Sequence, residues 1–220
     1  MLFVLMLVGQ FSIRTPAIEV RTAPNHDVRT NVEQSGSVLD KMLAVVNGDV
    51  ITLSDVRAAR QLKLLAGAEG MTDDQVVDRL IERRLMIAEV ARYTPAEPAA
   101  ADVAARRKAW EATLAAGTAP AAALAAVGMR DAALTAWFRD ELRLTAYLDQ
   151  RFTAAAQPTR QQALVYFQAH AADFAVNGVT PEFASVEADV RRRVADERRA
   201  TRIRDWVESL RQRAEIRRLG

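Results

Sequence analysis

The chain has 220 residues, a net charge of +2 and an apolar fraction of 50%, which is typical of one sizeable globular domain with a tail. It has no cysteine, so disulfides, thiolate nucleophiles and cysteine-ligated zinc are excluded. Only 9 glycines and 7 prolines interrupt a sequence rich in alanine, arginine and leucine. These residues favour helix, and the composition therefore predicts a mainly α protein.

The N-terminus predicts export. Residues 1–8 form an unbroken apolar run that is too short to span a bilayer and is typical of a signal-peptide h-region. A basic stretch before it and an A-x-A cleavage site after it are both missing. Residues 14–37 have no apolar period, which indicates a disordered tether. We therefore expect a signal-peptide h-region over 1–13, a tether over 14–37, a folded core over 38–220, and a periplasmic or secreted location.

A tight hairpin is predicted early in that core. Asn47-Gly48 separates two β-branched runs, 44–46 and 50–52, and both residues tolerate the positive φ of a type I′ turn. An isolated hairpin is marginal in water. Residues 214–219 are the other strand-like stretch, and we expect them to complete a small sheet with the hairpin, bringing the two ends of the domain together.

The remaining chain predicts helices separated by Gly, Pro and capping signals. Thr72 with Gln75 and Thr159 with Gln162 are predicted capping boxes. The expected helices are 55–66 capped by Ser54, a second from Thr72 to about 93, a third started by Pro95 and Pro98 and reaching 116, then 120–127, 131–155, a sixth from Thr159 to about 172, and a last from Thr180-Pro181 to about 213. The segment 175–181 is expected to be a plain loop.

Three stretches resemble SurA-type periplasmic chaperones and related foldases. The strand-turn-strand of residues 44–56, the leucine-rich helix 80–87, and the long helix and closing strand of residues 183–216 follow the order found in that family. Many members carry a parvulin-type isomerase domain before the last helix, whereas here only 175–181 occupies that position. The resemblance therefore implies a multi-helix chaperone core with a small β-sheet, no catalytic residues and no cofactor.

The same resemblance implies a crevice that binds extended apolar segments of unfolded client polypeptides without ATP. Aromatic and methionine side chains of the helical body are the candidate peptide-binding residues, because they offer large or adaptable contact areas. Each of them is also a normal core residue. The candidates are Met86, Trp110, Met129, Trp137, Phe138, Tyr147 and Phe167.

Two other functions stay open. One is a peptidyl-prolyl isomerase-family foldase. The other is an anionic-surface or nucleic-acid binder acting through the arginine-rich stretch 191–204, although interleaved acids favour a solvated face there and no nucleic-acid partner is expected. His26 and His170 are isolated in the sequence, so no catalytic triad or metal site is predicted.

Overall fold

The computed structural model describes residues 40–93 and 96–219, and the predicted signal peptide, the tether and His26 lie outside them. A short sheet and a set of helices make up this part of the chain, in a mainly α fold as predicted. In chain order the elements are β1 (Met42–Val46), β2 (Asp49–Thr52), α1 (Leu53–Gln61), α2 (Asp73–Ala91), α3 (Ala100–Glu111), α4 (Pro120–Ala126), α5 (Asp131–Ala156), α6 (Arg160–Ala169), α7 (Phe183–Arg213) and β3 (Ile216–Arg218).

The predicted sheet is confirmed. Its strand order is β2-β1-β3, and both pairs are antiparallel. Asn47 and Gly48 have φ values of 50° and 94°, as a type I′ turn requires at both central positions. Val46 is aligned with Asp49 on one side and with Ile216 on the other. The last strand therefore returns to the first, and β1 is the central strand.

The start of α1 corrects the sequence prediction. The N-cap is Thr52 and not Ser54, because the Thr52 hydroxyl accepts the Asp55 N–H while the Asp55 carboxylate accepts the Thr52 N–H. A cap at Ser54 would place Arg57 three residues later, and an arginine side chain cannot accept a hydrogen bond. The reciprocal pair decides which hydroxyl caps the helix.

Helix α1 also ends five residues before the predicted position. Lys63 adopts a left-handed φ of 51°, its N–H donates to the Arg60 carbonyl, and the Leu64 N–H donates to the Ala59 carbonyl. This is the Schellman pattern, in which the left-handed residue is usually glycine. Because a lysine occupies it here, no glycine marks the end of α1 in the sequence, and the first glycine after the helix is Gly67.

Both predicted capping boxes are present, and α2 and α6 begin directly after Thr72 and Thr159. Helix α3 begins at Ala100 and ends at Glu111, so it is shorter at both ends than predicted. Residues 175–181 contain a tight turn rather than a plain loop. Val176 and Val179 exchange both backbone hydrogen bonds around Asn177 and Gly178, which have positive φ.

The apolar residues form three clusters in the described chain. The largest joins the sheet to α1, α2, α5 and the second half of α7. A second surrounds Trp110 and Phe138 beneath the end of α1, α3, α4 and α5. The third packs α6 against the first half of α7. Helix α7, with 31 residues and a length of about 45 Å, thus links two separate clusters.

None of the helices within residues 40–93 and 96–219 combines the length and the apolar character needed to cross a membrane.

Candidate functional site

The site is built around Trp137, a half-buried residue in the first half of α5. The guanidinium carbon of Arg83, on α2, lies 3.7 Å from the centroid of the Trp137 ring. The Arg83 Nη2 atom also donates to the Trp137 backbone carbonyl at 2.9 Å. This cation–π stack and hydrogen bond hold the middle of α2 against α5. Arg83 and Trp137 both line two clefts, which we call the α1 cleft and the α7 cleft.

The α1 cleft lies between β2 and α1 on one side and α2 and the start of α5 on the other. It has a volume of about 420 Å³. That volume is in the range of sites that hold a small ligand or a few side chains. Small and aliphatic residues make up much of its wall, while Arg84 faces Asp49 and Asp55 at 3.8 and 3.9 Å at its edge. The apolar lining residues are Ile51, Ala58, Ala59, Leu64, Leu80, Ile87, Ala88, Met129, Ala133, Ala136 and Trp137.

The α7 cleft lies between α2, α5 and the second half of α7, and its volume is about 620 Å³. Its apolar lining consists of Leu64, Leu65, Ala66, Met86, Trp137, Leu144, Ile203 and Val207. Arg211 contacts Glu82 at 3.3 Å and Asp78 at 3.2 Å, so it connects α7 to α2 at one side of this cleft. The result is an apolar trough with charged walls.

Arg83 is the polar residue that both clefts share, and only 8% of it is exposed. Burial lowers the pKa of Arg83 to about 10, while the nearby carboxylates of Asp140 and Glu141 act in the opposite direction. The guanidinium is therefore still charged at neutral pH. No carboxylate of the described residues lies within ion-pair distance of it, although arginines elsewhere on the surface are well paired.

Three of the predicted peptide-binding residues lie together around these clefts. Met129 lines the α1 cleft, Met86 lines the α7 cleft, and Trp137 lines both. All three side chains are half-buried. An unbranched methionine on each side of a rigid indole gives an apolar surface that can adapt to different side chains.

The other four candidates lie elsewhere. Trp110 and Phe138 are 1% and 0% exposed, and their rings pack 6.1 Å apart in the second cluster. The Trp110 indole N–H donates to the Leu62 carbonyl at 2.8 Å, which fixes the end of α1. Tyr147 lies between Tyr93 and Trp206, with ring centroids 5.5 and 5.7 Å away.

Phe167 is buried in the third cluster, against the first half of α7. It therefore belongs to a different part of the fold from the two clefts.

The arginine-rich part of α7 is extensively neutralised by acids. Arg192 pairs with Asp189 at 2.7 Å within the helix, and Arg199 pairs with Asp149 of α5 at 2.6 Å. Arg191 and Arg193 also contact carboxylates, and Arg198 donates to the side chain of Gln162. This arrangement is that of a solvated helix face that also attaches α7 to its neighbours.

His170 is exposed at the end of α6, where its ring stacks on Tyr166 with centroids 4.1 Å apart. Within residues 40–93 and 96–219, the His, Asp and Glu side chains form no group of three that could hold a metal ion.

The sequence prediction missed Arg83. Val76, Leu80, Arg83, Ile87 and Val90 follow a spacing of four and three, so Arg83 falls on the apolar stripe of α2. A charged residue on such a stripe is a signal of a buried charge. The sequence does not distinguish Arg83 from Arg84, because two adjacent arginines are typical of a solvated surface.

No protein-family model and no curated protein matches the sequence. The fold does match solved structures. One is a chain from the work on the virulence factor PEB4 and the periplasmic protein Cj1289, two structurally related SurA-like chaperones of Campylobacter jejuni. The match has a TM-score of 0.50 and 13% identity, and it covers 82% of this chain and 100% of that one. This chain has a SurA-like chaperone fold.

Proposed function

We propose that the protein is an ATP-independent chaperone that shields extended apolar segments of unfolded proteins in the clefts on either side of Trp137. The observation that carries the proposal is the pair of apolar clefts that share this half-buried indole. The SurA-like fold supports it, because the solved structure with that fold comes from work on chaperones.

The physical basis of binding would be the burial of apolar surface, at about 25 cal/mol per Å² removed from water. An unfolded client loses chain entropy when a segment is held, and this cost offsets much of the gain. We therefore expect weak, reversible binding, with affinities set by how many apolar side chains reach Met86, Met129 and Trp137. Neither ATP nor covalent chemistry is part of the proposal.

We propose a periplasmic or secreted location and unfolded exported proteins, including outer-membrane proteins, as clients. The support is the apolar run of residues 1–8 and the periplasmic protein named with the structural match. We also propose that the segment 175–181 stands where family members carry a parvulin domain, and that the protein is not an isomerase.

The experiment is suppression of aggregation of an unfolded outer-membrane protein by the full chain without nucleotide. We expect wild type to suppress aggregation, and Trp137→Ala and Met86→Ser to lose much of that activity. Val165→Ser is the matched control, because Val165 is 55% exposed on α6 and lies outside both clefts. If the cleft variants and the control suppress aggregation equally, clients do not bind in the clefts.

A second assay addresses the isomerase alternative. Refolding of a substrate limited by proline isomerisation should not accelerate when the protein is added at catalytic concentration. Acceleration would overturn the purely chaperone function.

A further inference from the structure

The chain contains two Asn-Gly pairs, each preceded by a valine, and both form tight turns. Asn47-Gly48 is the hairpin turn between β1 and β2, and Asn177-Gly178 lies between α6 and α7. The φ values are 50° and 94° in the first turn and 53° and 80° in the second. Both asparagines are exposed. The two turns therefore share their sequence, their backbone conformation and their contact with water.

Asparagine is a chemically labile residue, above all before glycine. The backbone nitrogen of the glycine attacks the side-chain Cγ of the asparagine and forms a C–N bond. The side-chain nitrogen leaves as ammonia, carrying the proton of the glycine N–H, and a succinimide ring remains. Water then opens the ring at either carbonyl, which gives aspartate or isoaspartate. Glycine favours the first step because no Cβ shields its nitrogen, and water is the only co-reactant.

Asn47 is anchored against this reaction by the far end of the chain. Its Oδ1 atom accepts the Glu215 N–H at 2.9 Å, and its own N–H donates to the Glu215 carbonyl at 2.9 Å. Its turn also connects the central strand β1 to β2. The Cγ atom can meet the glycine nitrogen only if the side chain leaves Glu215. The reaction at Asn47 therefore requires local opening of the sheet.

Asn177 has no comparable anchor. Its turn is closed by an isolated bridge, in which Val176 and Val179 exchange backbone hydrogen bonds at 3.0 and 3.1 Å. In the part of the chain that the structure describes, the Asn177 side chain and the Gly178 N–H make no hydrogen bond. Val176 and Val179 are 67% and 70% exposed, so little apolar burial opposes opening of this turn.

We propose that Asn177 is a site of spontaneous deamidation, and that the contact with Glu215 protects the matching Asn47. Water is the reactant taken up, and aspartate and isoaspartate are the products at position 177. Isoaspartate adds a methylene group to the backbone, so it disrupts the Val176–Val179 bridge between α6 and α7. The fold thus protects the asparagine that joins β3 to the hairpin and leaves the other one reactive. This inference does not depend on the proposed chaperone function.

The test keeps the full chain in mildly alkaline buffer and follows both asparagines by mass spectrometry of proteolytic peptides. In the native protein, Asn177 should be lost at least about tenfold faster than Asn47, the factor expected from one additional hydrogen bond that has to break. Aspartate and isoaspartate should both appear at position 177, as chromatographically distinct peptides of equal mass.

The matched control is the same measurement in guanidinium chloride. Unfolding removes the contact with Glu215 and leaves two Val-Asn-Gly sequences, so the two rates should agree within about twofold. The two sites of one chain then serve as each other's reference, and no substitution that could prevent folding is needed.

Two results would overturn the inference. One is a native protein in which Asn47 and Asn177 are lost at comparable rates, because the contact with Glu215 then gives no protection. The other is a tenfold difference that persists in guanidinium chloride, which would assign the selectivity to the residues after each glycine, Asp49 and Val179, and not to the fold.

Discussion

Asn47 and Glu215 are 168 residues apart in the chain and exchange two hydrogen bonds. The Asn47 N–H donates to the Glu215 carbonyl at 2.9 Å, and the Glu215 N–H donates to the Asn47 side-chain oxygen, also at 2.9 Å. The residue that forms the hairpin turn therefore also binds the backbone that follows α7. One asparagine provides both the left-handed turn conformation and the contact with β3.

Asn47→Ala should therefore destabilise the protein by about 1–3 kcal/mol, because alanine is strained at positive φ and cannot accept the Glu215 N–H. Asn47→Gly separates the two effects, since glycine tolerates the conformation but lacks the side-chain oxygen. We expect the glycine variant to lose about 1 kcal/mol. Urea denaturation measures both, and equal stability of the alanine variant and wild type would contradict this account.

Asp78 should make stability depend on acid pH. Partial burial raises the pKa of its carboxyl, but hydrogen bonds from Arg218 and Arg211 outweigh this and lower the pKa below its usual 3.8. The pKa is lower in the folded state, so the carboxylate's contribution is present above the unfolded pKa and is lost as pH falls through the folded one.

The variant Asp78→Asn should lose about 0.5–1 kcal/mol at pH 7, a small effect because solvent screens the group. The difference from wild type should begin to shrink below about pH 4 and vanish only once pH falls below the folded pKa of Asp78. Asp74→Asn is the control, since Asp74 is 90% exposed on the same helix and lies 3.6 Å from Arg218. Melting temperatures between pH 2 and 7, in steps of about one unit, provide the measurement. A constant difference across this range would show that the ionised carboxylate is not the cause.

Trp110→Phe should lower the free energy of unfolding by about 1–3 kcal/mol. The phenyl ring keeps much of the packing, but the carbonyl of Leu62, which the indole N–H contacts at 2.8 Å, loses its donor. Trp137→Phe is the comparison. Because Trp137 is half-exposed, this substitution should lower the free energy of unfolding by less. If the two substitutions cost the same, the contact with Leu62 does not contribute measurably.

The neighbours Trp137 and Phe138 should separate binding from stability. Phe138 is 0% exposed, so Phe138→Ala should cost about 3–5 kcal/mol of stability through the cavity it leaves. Trp137→Ala should cost less stability and lose more of the proposed peptide binding. Both variants are compared by chemical denaturation and by the aggregation assay. If Phe138→Ala loses more binding and Trp137→Ala loses more stability, binding takes place in the core cluster.

Local signals explain why the sequence predicted so much of the fold. Asn47-Gly48 and the two capping boxes each depend on residues three or fewer positions apart, so their patterns are visible in the sequence. The place of β3 could be predicted because a lone hairpin needs a partner and few other strand-like stretches exist. The end of α1 was missed because its left-handed residue, Lys63, carries no glycine signal.

The candidate site was less predictable, because a helix period cannot distinguish a core face from a cleft face. Trp137 and Phe138 are adjacent and equally apolar, yet one lines both clefts and the other is fully buried. What separates them is the packing of α5 between α2 and α3, which depends on contacts between residues far apart in sequence. Arg83 shows the same effect, since its stacking partner lies 54 residues away.

The central position of β1 sets an order for folding. Its first partner strand follows immediately, whereas its second comes only after α7, so one edge of β1 stays open while the intervening helices are made. Contacts over such a separation form slowly, and an unpaired strand edge invites pairing with other chains. A chain interrupted before residue 216 would keep that edge exposed and should aggregate or be degraded. Pairing of β3 with β1 therefore protects a newly synthesised chain from aggregation and degradation.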